Sequence, residues 1–155
     1  MSVKTNEAFL KEEAVPLLAQ LKEDAVAKFG IMTPQHMVEH LIWVTKTTVG
    51  RKGEKPAEPT KSNLYFQNFI ATGAKFKYRP KEDATLKELK YGSLQEAIDN
   101  VAPAIARFYQ YFEADPNALC FNPLFGEMNK EQLEVFHAQH FRWHLYQFGL
   151  MEEFV

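Results

Sequence analysis

A chain of 155 residues, 46% hydrophobic with thirteen Phe, fits one domain over residues 1–155 and carries enough apolar surface for a real core. Its eighteen basic residues are scattered among twenty acidic ones, as in Lys11-Glu12-Glu13, so no nucleic-acid partner is expected at a net charge of −2. One cysteine, Cys120, excludes an intramolecular disulfide, and a polar start without any apolar run near the roughly 20 residues of a bilayer span points to a cytoplasmic chain with no membrane partner.

In chain order, Phe9, Leu10, Leu17, Leu18 and Leu21 recur at helical spacing and predict a first helix from Asn6 to about Gln20, kinked or broken at Pro16. Thr33-Pro34 is a hydroxyl cap followed by proline at the first helical position; it opens a second helix that runs through Met37, His40, Leu41 and Val44 and stops before Gly50. Residues 50–60 combine Gly, Pro and charge and read as an exposed loop. Lys61 to about Thr72 reads as a short helix, and 73–91 as irregular chain around Pro80. Ser93 and Glu96 form a capping box for a helix to about Glu113, bent at Pro103. Residues 117–128 are expected to be an ordered loop, with Cys120 a small buried hydrophobe. Asn129 and Gln132 then open a last helix that runs to Phe148 and ends at Gly149. Helices of these lengths joined by loops make an all-α bundle.

The five histidines fall in two clusters, His36 and His40 on the second helix and His137, His140 and His144 on the last. Members three or four residues apart share a helix face. An i,i+4 pair, one turn apart, is able to place two imidazole nitrogens about 2.0–2.1 Å from one ion, which suits His140 with His144. His137 with His140 is the i,i+3 alternative, whereas His137 and His144 lie two turns apart. A third ligand then comes from the other helix, as His40 or His36. No glutamate follows His140, so the HExxH pattern of zinc proteases is absent.

The segment Met32-Thr33-Pro34-Gln35-His36-Met37-Val38-Glu39-His40-Leu41 resembles the M-T-x-x-x-M-x-x-H-L opening of the DinB/YfiT-like superfamily of metal-dependent hydrolases. The run Asn122-Pro123-Leu124-Phe125-Gly126, followed by Phe136-His137-Ala138-Gln139-His140 and Trp143-His144-Leu145-Tyr146-Gln147-Phe148-Gly149, is similar to the closing part of one branch of it. The resemblance implies a four-helix bundle with a long excursion between its second and third helices. It also implies a divalent metal, nickel or zinc, on His40, His140 and His144. Members of that branch often have histidine where this chain has Trp143.

Around these ligands, Gln147 sits one turn beyond His144 and is placed to orient its ring. His36 and His137 are the candidate proton-transfer groups. Glu39 and Arg142 read as a solvated or intersubunit pair, and Trp43, Phe141, Trp143, Tyr146 and Phe148 as core or as the interface of a homodimer. Three protein ligands leave a coordination position open, which favours catalysis over a closed structural site. The expected function is a metal-dependent enzyme acting on a small-molecule substrate, either a hydrolase or a transferase of a low-molecular-weight thiol. The alternative is a non-catalytic, stress-related binding module with a structural or vestigial metal.

Overall fold

Thr5 Oγ1 accepts from Ala8 N at 3.1 Å and opens α1 (Asn6–Ala8), which widens into a π-helical turn, Phe9–Glu13, before α2 (Ala14–Leu18). The three segments form one rod in a computed structural model that describes residues 5–50, 57–73, 76–78 and 80–152. The disruption expected at Pro16 takes the form of this π turn. Proline has no N–H for the carbonyl four residues back and its ring crowds that carbonyl. The wider turn makes Pro16 the third residue of a fresh α segment, where N–H groups have no intrahelical partner to lose.

Thr33 caps α3 (Pro34–Thr47) by accepting from His36 N, with Pro34 in the first turn. The stretch read as a short helix is α4 (Lys61–Ala71), closed by a reciprocal box between Thr60 and Asn63. Of the loop expected over 50–60, residues 51–56 lie outside the described residues, as do 74, 75 and 79 of the irregular stretch; the described remainder of 74–91 forms no helix or strand.

The single helix expected from Ser93 is instead two, α5 (Leu94–Asp99) and α6 (Val101–Ala114). Pro103 offers no N–H to the Asp99 carbonyl, and the chain breaks at Asn100, whose side-chain amide donates to Glu96 O at 2.8 Å. Ser93 caps Glu96 N as expected, but the Glu96 carboxylate reaches back to Gly92 N rather than to Ser93.

The expected loop over 117–128 also contains a short antiparallel hairpin, β1 (Cys120–Asn122) and β2 (Gly126–Met128), with Phe121 opposite Glu127. Asn122 Oδ1 accepts from Leu124 N at 2.8 Å and closes the turn. Two amides of α4 clamp it: Asn63 Nδ2 donates to Pro123 O and Leu124 O, and Gln67 Nε2 to Phe125 O and Glu127 O. Strands of three residues are too short to show an alternating pattern, which is why sequence periodicity missed them.

Asn129 and Gln132 box the start of α7 (Lys130–Gln147). Its end is a Schellman motif, with Leu150 N donating to Leu145 O and Gly149 N to Tyr146 O, and Gly149 holds the left-handed position at φ +72°. The α1–α2 rod, α3, α6 and α7 make an all-α bundle around Phe9, Met37, Leu41, Phe108, Phe112 and Phe141. Between its second and third helices the chain makes an excursion whose described residues carry α4 and α5; α4 packs on α7, and α5 on α3. No helix among the described residues is long and apolar enough to cross a membrane.

Gly126 sits at φ +74°, and a Cβ there would come within 3.0 Å of the Asn63 side chain. Gly126→Ala is therefore expected to cost about 1–3 kcal/mol in urea unfolding through strain and displacement of Asn63. A midpoint equal to wild type would contradict this account of the turn.

Candidate metal centre

One face of α3 carries His36, Glu39, His40, Trp43 and Lys46 into a cleft, while Met37, Val38, Leu41 and Ile42 on the other face fill the core. This separation is what a 3.6-residue period dictates. On α7, His140 and His144 stand one turn apart and face His40. His40 Nε2 lies 3.0 Å from His140 Nε2, and His144 Nε2 lies 3.1 Å from the same atom. All three ligand atoms fall within 4.8 Å of one another.

Hydrogen bonding fixes the tautomer of His144. Gln147 Nε2 donates to Phe29 O at 2.9 Å, which turns Gln147 Oε1 toward His144 Nδ1 at 2.7 Å. Nδ1 must carry the proton, so Nε2 presents its lone pair to the other two histidines. The Phe29 segment is held in turn by Lys28 N donating to Gln147 O. Gln147 thus takes the position beside His144 that its spacing suggested.

Burial keeps the cluster neutral. It pulls His144 down to about 3, helped by the nearby His40 and opposed by the Gln147 bond. It pulls His40 down to about 4, with a smaller push from the Lys87 ammonium. His140 is driven well below its ordinary value, by burial first and then by its histidine neighbours. At pH 7 all three are free bases, the form that binds metal.

Three neutral imidazoles in this arrangement are poorly satisfied by one another. With His144 Nε2 lacking a proton, only one of the two short N···N contacts is a hydrogen bond at any time. His140 Nδ1 is also buried without a partner. Two nitrogens that each lie about 2.0–2.1 Å from one ion are themselves about 3.0–3.4 Å apart. Two of the three separations, 3.0 and 3.1 Å, match that span. The donor set therefore fits a divalent cation.

The centre is reached from one side. His40 and His144 line a cleft of about 730 Å³ shared with Trp43, Trp143, Tyr78 and Lys87, while His140 lies behind them against Phe136. Within the described residues the cluster comprises histidines alone.

The other sequence candidates separate clearly. His36 lines the cleft, with Nε2 donating to Lys87 O at 3.0 Å and Nδ1 accepting from Thr33. His137 is 1% exposed, packs edge-on to Phe108 and shares a 2.8 Å hydrogen bond with Thr48, away from the cleft. Within the chain Glu39 and Arg142 have separate partners: Glu39 accepts from Lys90 N, Tyr91 N and Gln35, whereas Arg142 lies over Phe9 and donates to Asn6. Phe141 and Phe148 are core, but Trp43 and Trp143 line the cleft instead. Sequence reasoning missed the strap over 84–91, which Glu39 and His36 tie to α3. An acidic residue one position from a ligand was its only signal.

A family model for a protein of unknown function (DUF1569) matches residues 10–151. The chain belongs to that family. The match runs from the first rod to the end of α7 and so takes in all three histidines and Gln147. No curated protein and no solved structure matches the chain.

His137 gives the fold a pH dependence that needs no metal. Burial holds it at about 3, against 6.5 when exposed. Between those values the unfolded chain takes up a proton that the folded chain refuses, so stability is full above pH 6.5 and falls as pH drops toward 3. Metal-free protein is expected to lose urea resistance from pH 7 to pH 5, and His137→Leu to lose less over the same interval. Equal pH slopes for the two would contradict the placement of His137.

Proposed function

We propose that this protein is a divalent-metal enzyme that uses His40, His140 and His144 as ligands and the adjoining cleft for a small-molecule substrate. The observation that carries the reading is the convergence of three unprotonated imidazoles, with His40 and His144 at the wall of an open cleft and His140 behind them. A structural site normally closes with four protein ligands; a three-ligand site beside a cleft leaves room for substrate. The similarity of both motif segments to the DinB/YfiT-like superfamily supports the same ligand set and a hydrolase or low-molecular-weight thiol transferase. Imidazole ligands suit nickel or zinc.

A divalent ion bound there supplies Lewis-acid activation of water, of a thiol or of the electrophile. The chain's own residues do the rest. Gln147 holds His144 in the tautomer that offers Nε2. Phe136 and Phe76 flank His140 and keep solvent from its rear face. Of the two candidates for proton transfer, His36 is the one that lines the cleft, where its contacts with Thr33 and Lys87 O fix the orientation of its ring. The exposed Leu64 and Tyr65 of α4 offer a homodimer face.

A non-catalytic metal-binding module is the second reading. It is favoured by the fact that the carboxylate nearest the ligands in sequence, Glu39, is already committed to backbone N–H groups.

Elemental analysis after mild purification tests the ligand set. Wild type is expected to carry about one metal per chain, and His144→Ala to lose it. Gln147→Ala is expected to keep the site but weaken it by about 10–100-fold in equilibrium dialysis. Stoichiometric metal in His144→Ala would overturn the assignment. Activity of the loaded protein toward esters, amides or thiol–electrophile pairs, absent in His144→Ala, separates enzyme from module.

A further inference from the structure

The cleft has a chemical character of its own, beyond the metal ligands. Its floor is aromatic, with Trp43 on α3 and Trp143 on α7, and Phe29 tilted against Trp143 with ring centroids 4.7 Å apart. Leu86 and Leu89 of the strap add an apolar wall. Trp43 is 54% exposed, a high value for an indole, and it stands one turn beyond His40 on the same face of α3.

The charges around this floor are one-sided. Among the described residues, Lys46, Lys81, Lys87 and Lys90 line the cleft against Glu39 and Glu88. The Glu39 oxygens already accept from Lys90 N and Tyr91 N, so they face the strap backbone. Lys87 is held in place from two directions: its carbonyl accepts from His36 Nε2, and its ammonium sits 4.0 Å from the centroid of the Trp43 ring. An ammonium over an indole keeps the outward side of its charge available to an anion.

We propose that the cleft binds a small organic anion with a flat apolar body, the body lying on the Trp43 and Trp143 floor and the anionic group on Lys87. This names the substrate class of the cleft assigned above and rests on that reading for its place in the reaction. The anion site itself is built by Lys87 and Trp43 and does not require the metal. Neutral apolar compounds would use the same floor without the Lys87 contact, and cations would be repelled.

Two fluorescent probes that differ by one sulfonate test this directly: 8-anilinonaphthalene-1-sulfonate and neutral N-phenyl-1-naphthylamine. Both are titrated into metal-loaded protein and into protein stripped with a chelator, each for wild type, Lys87→Gln, Lys87→Arg and Trp43→Ala. Wild type is expected to prefer the anion in both metal states. Lys87→Gln should weaken the anion about three- to tenfold and leave the neutral probe unchanged, since one charge-assisted contact at a partly solvated site is lost. Lys87→Arg should restore anion binding, and Trp43→Ala should weaken both probes. The proposal is overturned if Lys87→Gln leaves anion affinity intact, or weakens both probes alike. It is also overturned if the preference for the anion disappears on removing metal, for then the ion alone is the receptor. Protein that holds no metal yet shows the Lys87-dependent preference would sink the metal reading and leave the anion site standing.

Discussion

Three imidazole Nε2 atoms from two helices meet at 3.0 and 3.1 Å, and the protein's own hydrogen bonds cannot satisfy all of them. A buried acceptor left without a partner costs about 1–3 kcal/mol. This cluster sits between α3 and α7 where an apolar contact would pack without such a penalty. The surrounding structure holds it there nonetheless. Leu41 and Val38 anchor α3 in the core, Phe141 and Leu145 anchor α7, and the orientation of each helix leaves its histidine face no other direction. A cation would turn three competing lone pairs into three ligand bonds.

Support for the centre extends outward in layers. Gln147 fixes one ligand's tautomer and is itself fixed by Phe29. The Schellman turn at Gly149 ends α7 just beyond Gln147, so the amide is carried on regular helix while the chain leaves at once. On the opposite flank, His36 and Glu39 project from the His40 face of α3 and seize the backbone of residues 87, 90 and 91. That strap makes the far wall of the cleft. The helix that supplies a ligand therefore also builds the enclosure in front of it.

Much of this was legible in sequence because it is local. Thr33-Pro34, Asn129 with Gln132, and Gly149 mark helix ends through short-range hydrogen bonding, and the structure uses each of them in that way. Histidine spacing likewise narrowed the ligands to a pair on the last helix with His40 or His36 on the second, and the resemblance of the two motif segments selected His40, His140 and His144 among them. What escaped was non-local or too short to be periodic. The hairpin at 120–128 exists because Asn63 and Gln67, about sixty residues earlier, hold its turn. The split at Asn100 lies three residues ahead of Pro103, since the missing N–H is felt at the Asp99 carbonyl, four residues back. Glu39 looked solvated because its partners, Lys90 N and Tyr91 N, are about fifty residues away in the chain. His137 shares a helix with two of the site's histidines but points a different way, against Phe108 and Thr48.

The central claim is that these three side chains share one ion. X-ray absorption at the metal edge of nickel- or zinc-loaded wild type reads the coordination shell directly. Nitrogen scatterers are expected at about 2.0–2.1 Å, with outer-shell scattering from three imidazole rings, and one ring fewer in His40→Ala. A shell of oxygens without imidazole features, or a spectrum unchanged in His40→Ala, would contradict it.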